Sequence, residues 1–162
     1  MQHETILIGI SQLGAVFAGF IAIFTAFTKQ DGRLSPAESL RVRSMLYASF
    51  LTVLGALWPL VVSAYGITDP DLWRRSAMLF LLTGLFAIAD AARHNLSLEG
   101  SQRAKVGKIH FFVSWGLVAA AVTLVALTAL GYGSAGHYLL ALLLTLAVAI
   151  SNFVTSTLLR LL

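Results

Sequence analysis

Four polar side chains stand where a long apolar chain can least accommodate them. Gln12 lies in the first hydrophobic run, and Thr145, Asn152 and Ser156 lie in the last. An amide or hydroxyl in hydrocarbon must meet a hydrogen-bond partner or water. These residues are therefore either glue between helices or the lining of a hydrated path. At about 100° per residue, Ala141, Thr145, Ala149, Asn152, Thr155 and Ser156 fall in one stripe. Gln12, Ala15, Gly19, Ala22 and Ala26 recur at intervals of three and four, the spacing of a close-packed helix seam. Gln12 and Asn152 come at different depths in their runs, which argues against a direct bond between them.

Other residues carry narrower possibilities. Asp90, Arg93 and His94 share one side of a helix, so Asp90 and Arg93 form a candidate ion pair, with a proton or cation site as the alternative. In Trp58-Pro59, the proline frees the carbonyl of Gly55 and bends its helix, which makes Pro59 either a static kink or a candidate hinge. His3, His94, His110 and His137 raise metal or haem ligation, but all fall near the ends of apolar runs and no ligand pattern accompanies them. No metal or cofactor is assigned. With no cysteine in the chain, thiolate chemistry and disulfides are excluded. HExxH, GxSxG and P-loop motifs are absent, and no histidine lies deep enough to serve Ser11 or Ser114 as a base. No catalytic residue is assigned, and the chain reads as a non-enzyme.

The elements that position these residues follow from composition. The 162 residues are 58% hydrophobic and 11% charged, less than half of the roughly 25% charge of a soluble domain. Such a chain needs lipid as its solvent over much of its length. Five runs have the roughly 20 apolar residues of a membrane-spanning helix: 6–27, 45–67, 72–92, 109–130 and 138–159. The expected fold is an all-α membrane protein, one bundle of five transmembrane helices with no soluble domain.

Orientation follows from the basic residues. Lys29, Arg33, Arg41, Arg43, Arg93, Arg103, Lys105, Lys108 and Arg160 fall on one side of five such spans, against Arg74 and Arg75 on the other. Nine against two predicts an external N-terminus and a cytoplasmic C-terminus, in a cell inner (plasma) membrane. Tyr65, Trp73, Tyr132 and Tyr138 are then expected at the outer interface. The short basic runs suit an anionic lipid leaflet better than nucleic acid.

Local signals mark the helix ends. Ser35-Pro36-Ala37-Glu38 is a capping box with proline at the first helical position. Thr68-Asp69-Pro70-Asp71 marks the start of the third helix, and Gly131, Gly133 and Gly136 break the chain before the fifth.

Two functional readings survive from different classes. In one, a homo-oligomer forms a channel or permeation path for ions or small solutes, lined by Gln12, Thr145, Asn152 and Ser156. In the other, the chain is a non-catalytic accessory or scaffold subunit whose small-residue faces dock a membrane-protein partner.

Overall fold

A computed structural model describes residues 3–28, 36–97 and 108–161. Five helices make up the bundle: α1 (Glu4–Thr28), α2 (Pro36–Ala64), α3 (Asp71–Ser97), α4 (Lys108–Ala129) and α5 (Ala135–Leu161). All five are long and apolar enough to cross a membrane, as a multi-pass membrane protein requires. Among the described residues there is no strand.

The helix ends follow the local chemistry. α2 begins at Pro36, where a missing N–H costs nothing because the first helical donors have no intrahelical acceptor. It stops at Ala64, short of the expected Ile67, because Gly66 adopts a φ of 76° and turns the chain out of the helix. α3 restarts at Asp71, its first turn carrying an acid at the positive end of the helix dipole. At the far end of α4, Gly131 takes a φ of 89° and closes the turn into α5. Arg74 adds an unforeseen cap: its Nε donates to the carbonyl of Ala129, the last residue of α4, at 3.2 Å. The linkers bearing Lys29, Arg33, Arg103 and Lys105, and the cap residue Ser35, lie outside the described residues.

α2 and α5 form the centre, with α1 packed mainly against α2 and α3–α4 closing the other side. The two central helices bury 44% of their apolar windows, against 22–28% for the outer three. The core beneath the α2–α3 and α4–α5 turns is aromatic. Tyr138 and Trp73 are fully or almost fully buried, and the Tyr138 ring lies 5.6 Å from Trp73 and 5.9 Å from Phe80. Both residues stand in the first turn of their helices, yet face the interior of the bundle. Only Tyr65 and Tyr132, 82% and 83% exposed, stand outside at that end among the four. The reason is a specific bond. The Gly55 carbonyl freed by Pro59 accepts from the Tyr138 hydroxyl at 2.7 Å, so the phenol's polar end is satisfied inside the bundle.

Within the protomer, the face of α1 that packs is not the stripe from Gln12 to Ala26. Leu7, Ile10, Ala18 and Ile21 are buried together with Gly14, whose added Cβ would sit 3.0 Å from Val53 and 3.1 Å from the Ser49 carbonyl. Gln12, Ala15, Gly19, Ala22 and Ala26 lie around the helix from that face and are exposed. Both surfaces contain small residues. The buried one also carries Leu7, Ile10 and Ile21, whose larger area makes it the better face to bury. Nearer the other end, Phe153 of α5 sits edge-on to Phe17 and Phe24 of α1.

Candidate functional site

Helical periodicity builds a cavity between α2, α3, α4 and α5. On α2, Leu40, Arg41, Ser44, Tyr47, Ala48 and Leu51 recur at one-turn intervals and line it. From Leu40 to Leu51 this face covers about 16 Å at 1.5 Å per residue. The cavity lining runs from the end of the bundle where α2 begins to Phe80 of α3 and Val125 of α4. Its volume is about 180 Å³, enough for roughly a dozen water-sized spheres.

Most of the lining is aliphatic or aromatic. Gly84, Leu85 and Ile88 of α3 face Ser114, Trp115 and Val118 of α4 across it. Leu85 is 58% exposed, and the other five are half-buried, so the same residues that line the cavity also form the outer wall. The cavity therefore reaches the outer surface of the bundle at Leu85 of α3. Gly84 contributes to the room: a Cβ built there meets nothing within 4 Å.

The polar groups are few and graded. Thr145 and Asn152 line the cavity from α5. Thr145 Oγ1 donates to the Ala141 carbonyl at 2.8 Å, and Asn152 Nδ2 to the Val148 carbonyl at 2.9 Å. Each such bond satisfies one donor from the preceding turn of the same helix. Ser156 is buried one turn further along, outside the lining, with no hydrogen-bond partner for its Oγ among the described residues. Ser114 Oγ, also without one, is on the lining itself. Gln12 is on the outer surface of α1, away from this cavity, so the four candidate lining residues do not share one path within the chain.

A charged cluster clamps the rim at the basic end. Tyr47, part of the lining, donates its hydroxyl to Asp90 Oδ2 at 2.7 Å. Arg43 Nη1 donates to the same oxygen at 3.4 Å. His94 Nδ1 lies 3.0 Å from the Asp90 carbonyl and 3.5 Å from Oδ1, and the His94 ring also contacts Arg43. Among the described residues, Asp90's ion-pair partners are thus Arg43 from α2 and His94, while the expected partner Arg93 is exposed. A partner on a neighbouring helix can meet the carboxylate end-on, whereas Arg93, one turn along, points outward. Arg43 and Tyr47 were not legible as site residues, because their partner lies over forty positions away in the chain. The one available signal was the recurrence of Arg41, Ser44 and Tyr47 along a single face.

Pro59 is fully buried inside a continuous α2. With the Gly55 carbonyl held by Tyr138, any hinge motion there would first have to break that bond. His137 is hydrogen-bonded locally to Ser134, and His3 stacks edge-on against Trp73. Among the described residues, no three His, Asp or Glu side chains converge as a metal site would require. No family model, curated protein or solved structure matches this chain.

Proposed function

We propose that the chain is a multi-pass membrane protein that takes up a chain-like hydrophobic molecule from the bilayer through the α3–α4 opening. One observation carries the reading: an apolar cavity whose wall residue Leu85 also belongs to the outer surface. A soluble ligand would have to cross that lipid-facing wall, whereas an alkyl chain is already dissolved beside it. Sites for such molecules are concave and mostly apolar, with a few polar groups that fix orientation; Ser114, Thr145 and Asn152 are suited to that role. The excess of basic residues at the end where α2 begins supports a cytoplasmic position for that end and an external N-terminus, in an inner or plasma membrane.

Methyl laurate is a suitable probe, because it is a chain without charge. It should bind the purified protein in detergent with one-to-one stoichiometry by calorimetry. Gly84→Phe, which fills space rather than meeting a neighbour, should abolish binding while leaving the helical spectrum and melting profile intact. Unsaturable uptake, or equal uptake by the filled variant, would reject the proposal.

Permeation by a homo-oligomer remains the second reading. The outward position of Gln12 on the small-residue stripe of α1 favours it, since an amide facing hydrocarbon is stabilised by a partner amide on a second copy.

A further inference from the structure

We infer that the guest of the cavity carries an uncharged ester head whose carbonyl oxygen accepts a hydrogen bond from Ser114, so that the ligand class is acyl esters such as the monoacylglycerols. This rests on the cavity being a binding site for a chain-like molecule. Four hydroxyls line the cavity, those of Ser44, Tyr47, Ser114 and Thr145. Three of them donate inside the protein: Ser44 to the Arg41 carbonyl at 3.1 Å, Tyr47 to Asp90 at 2.7 Å and Thr145 to the Ala141 carbonyl at 2.8 Å. Ser114 Oγ is buried and has no partner among the described residues. Hydroxyls elsewhere on α4 bond to the turn before them, Thr123 and Thr128 donating to the Ala119 and Leu124 carbonyls at 2.8 and 2.9 Å. A buried donor left unmade is costly, and an acceptor on the guest removes that cost.

The charges around the cavity disfavour an ionised head. Arg41 is the charged side chain on the lining, and Glu38, one turn earlier, is its counter-charge. At the rim, Arg43 is paired with Asp90 at 3.4 Å. Each cation already faces an anion, so a carboxylate or phosphate would give up its water without gaining a counter-ion. An ester carbonyl is a neutral acceptor and avoids that loss. Depth fits the same class. Ser114 stands in the second turn of α4, about 9 Å from Lys108, nearer the membrane boundary than the midplane. The ester carbonyls of bilayer lipids lie close to that boundary, so an acyl ester reaches Ser114 with little change of depth. From Ser114 to Val125, also on the lining, α4 rises about 16 Å, which accommodates an extended chain of roughly a dozen carbons.

Methyl laurate, laurate and tridecane carry chains of similar length and differ in the head. They can be titrated against the full chain in one maltoside detergent at about pH 9, where the acid is ionised. With each ligand counted as its mole fraction in the micelle, methyl laurate should bind about three- to ten-fold more tightly than tridecane, the size of one hydrogen bond between neutral groups. Laurate should bind more weakly than the ester. Ser114→Ala should remove the ester's advantage while leaving tridecane unchanged, which also shows that the variant is folded. Methyl laurate isotope-labelled at its carbonyl carbon gives an independent readout. Its carbonyl stretch should fall in wavenumber on binding the native chain and stay put on binding Ser114→Ala. Equal affinity for ester and alkane, tighter binding of laurate, or ester binding unmoved by Ser114→Ala would overturn the inference while leaving the cavity reading in place. If Ser114→Ala loses tridecane as well, an unshifted carbonyl stretch in the native chain overturns the inference and a shifted one sustains it. If none of the three ligands binds saturably, the cavity reading itself fails.

Discussion

At the scale of single residues, the informative group is the one that meets the proline. Pro59 withdraws a hydrogen-bond donor from α2, and Tyr138 supplies one from α5 to the carbonyl so released. A buried carbonyl left without a donor costs about 1–3 kcal/mol. Tyr138→Phe should therefore lower unfolding stability by about that amount. Pro59→Ala restores a main-chain donor to the Gly55 carbonyl, so Tyr138→Phe should cost less in that background. A double-mutant cycle in denaturant reads this coupling; strict additivity would show that the hydroxyl and the proline act independently. The sequence revealed half of this pair. That Pro59 frees the Gly55 carbonyl follows from local geometry, but the acceptor's partner lies 83 residues away. That Tyr138 faces inward was not legible for the same reason, since a tyrosine near a helix end reads alike in sequence whether it faces lipid or is buried and bonded.

Among the elements, the helices themselves were almost fully legible, because a span of about 20 apolar residues is dictated by bilayer thickness and leaves a long, uninterrupted signal. Their ends were legible where Pro36, Gly66 and Gly131 impose backbone geometry. Less legible was which face each helix buries. In a soluble protein polarity separates inside from outside, but in lipid both are apolar, and only size and shape distinguish them. α1 shows the consequence, burying Gly14 and Ala18 while exposing Gly19 and Ala22. The contrast is testable. Gly14→Leu should destabilise the fold, because its Cβ already meets Val53 and the Ser49 backbone. Gly19→Leu should leave the protomer's stability unchanged, since nothing lies within 4 Å of a Cβ there. If the α1 stripe joins copies of the chain, Gly19→Leu should also shift crosslinked oligomers toward monomer. Crosslinking unaltered by Gly19→Leu would exclude that stripe as the interface.

For the whole molecule, the described residues surround a mostly apolar cavity whose lining reaches the outer surface at Leu85. Thr145 and Asn152 were recognised as notable because polar residues in a span are rare, and both line the cavity. The cavity itself was not foreseen: it arises where Gly84, Ser114 and neighbouring small side chains of separate helices coincide, a juxtaposition without a local pattern. The proposed topology, with the charged rim in the cytoplasm, has its own check. A reporter fused after Leu162 should be active only on the cytoplasmic side, and an external reading would reverse the orientation.

The most direct measurement exploits Trp115, which lies on the cavity wall. In the Trp58→Phe, Trp73→Phe double variant, Trp115 becomes the sole tryptophan fluorophore. A mid-chain brominated methyl laurate should quench it to a plateau at one equivalent, and excess unlabelled methyl laurate should reverse the quenching. Quenching that rises linearly with probe and resists competition would mean that the chain merely contacts bulk hydrophobe and that the cavity holds no guest.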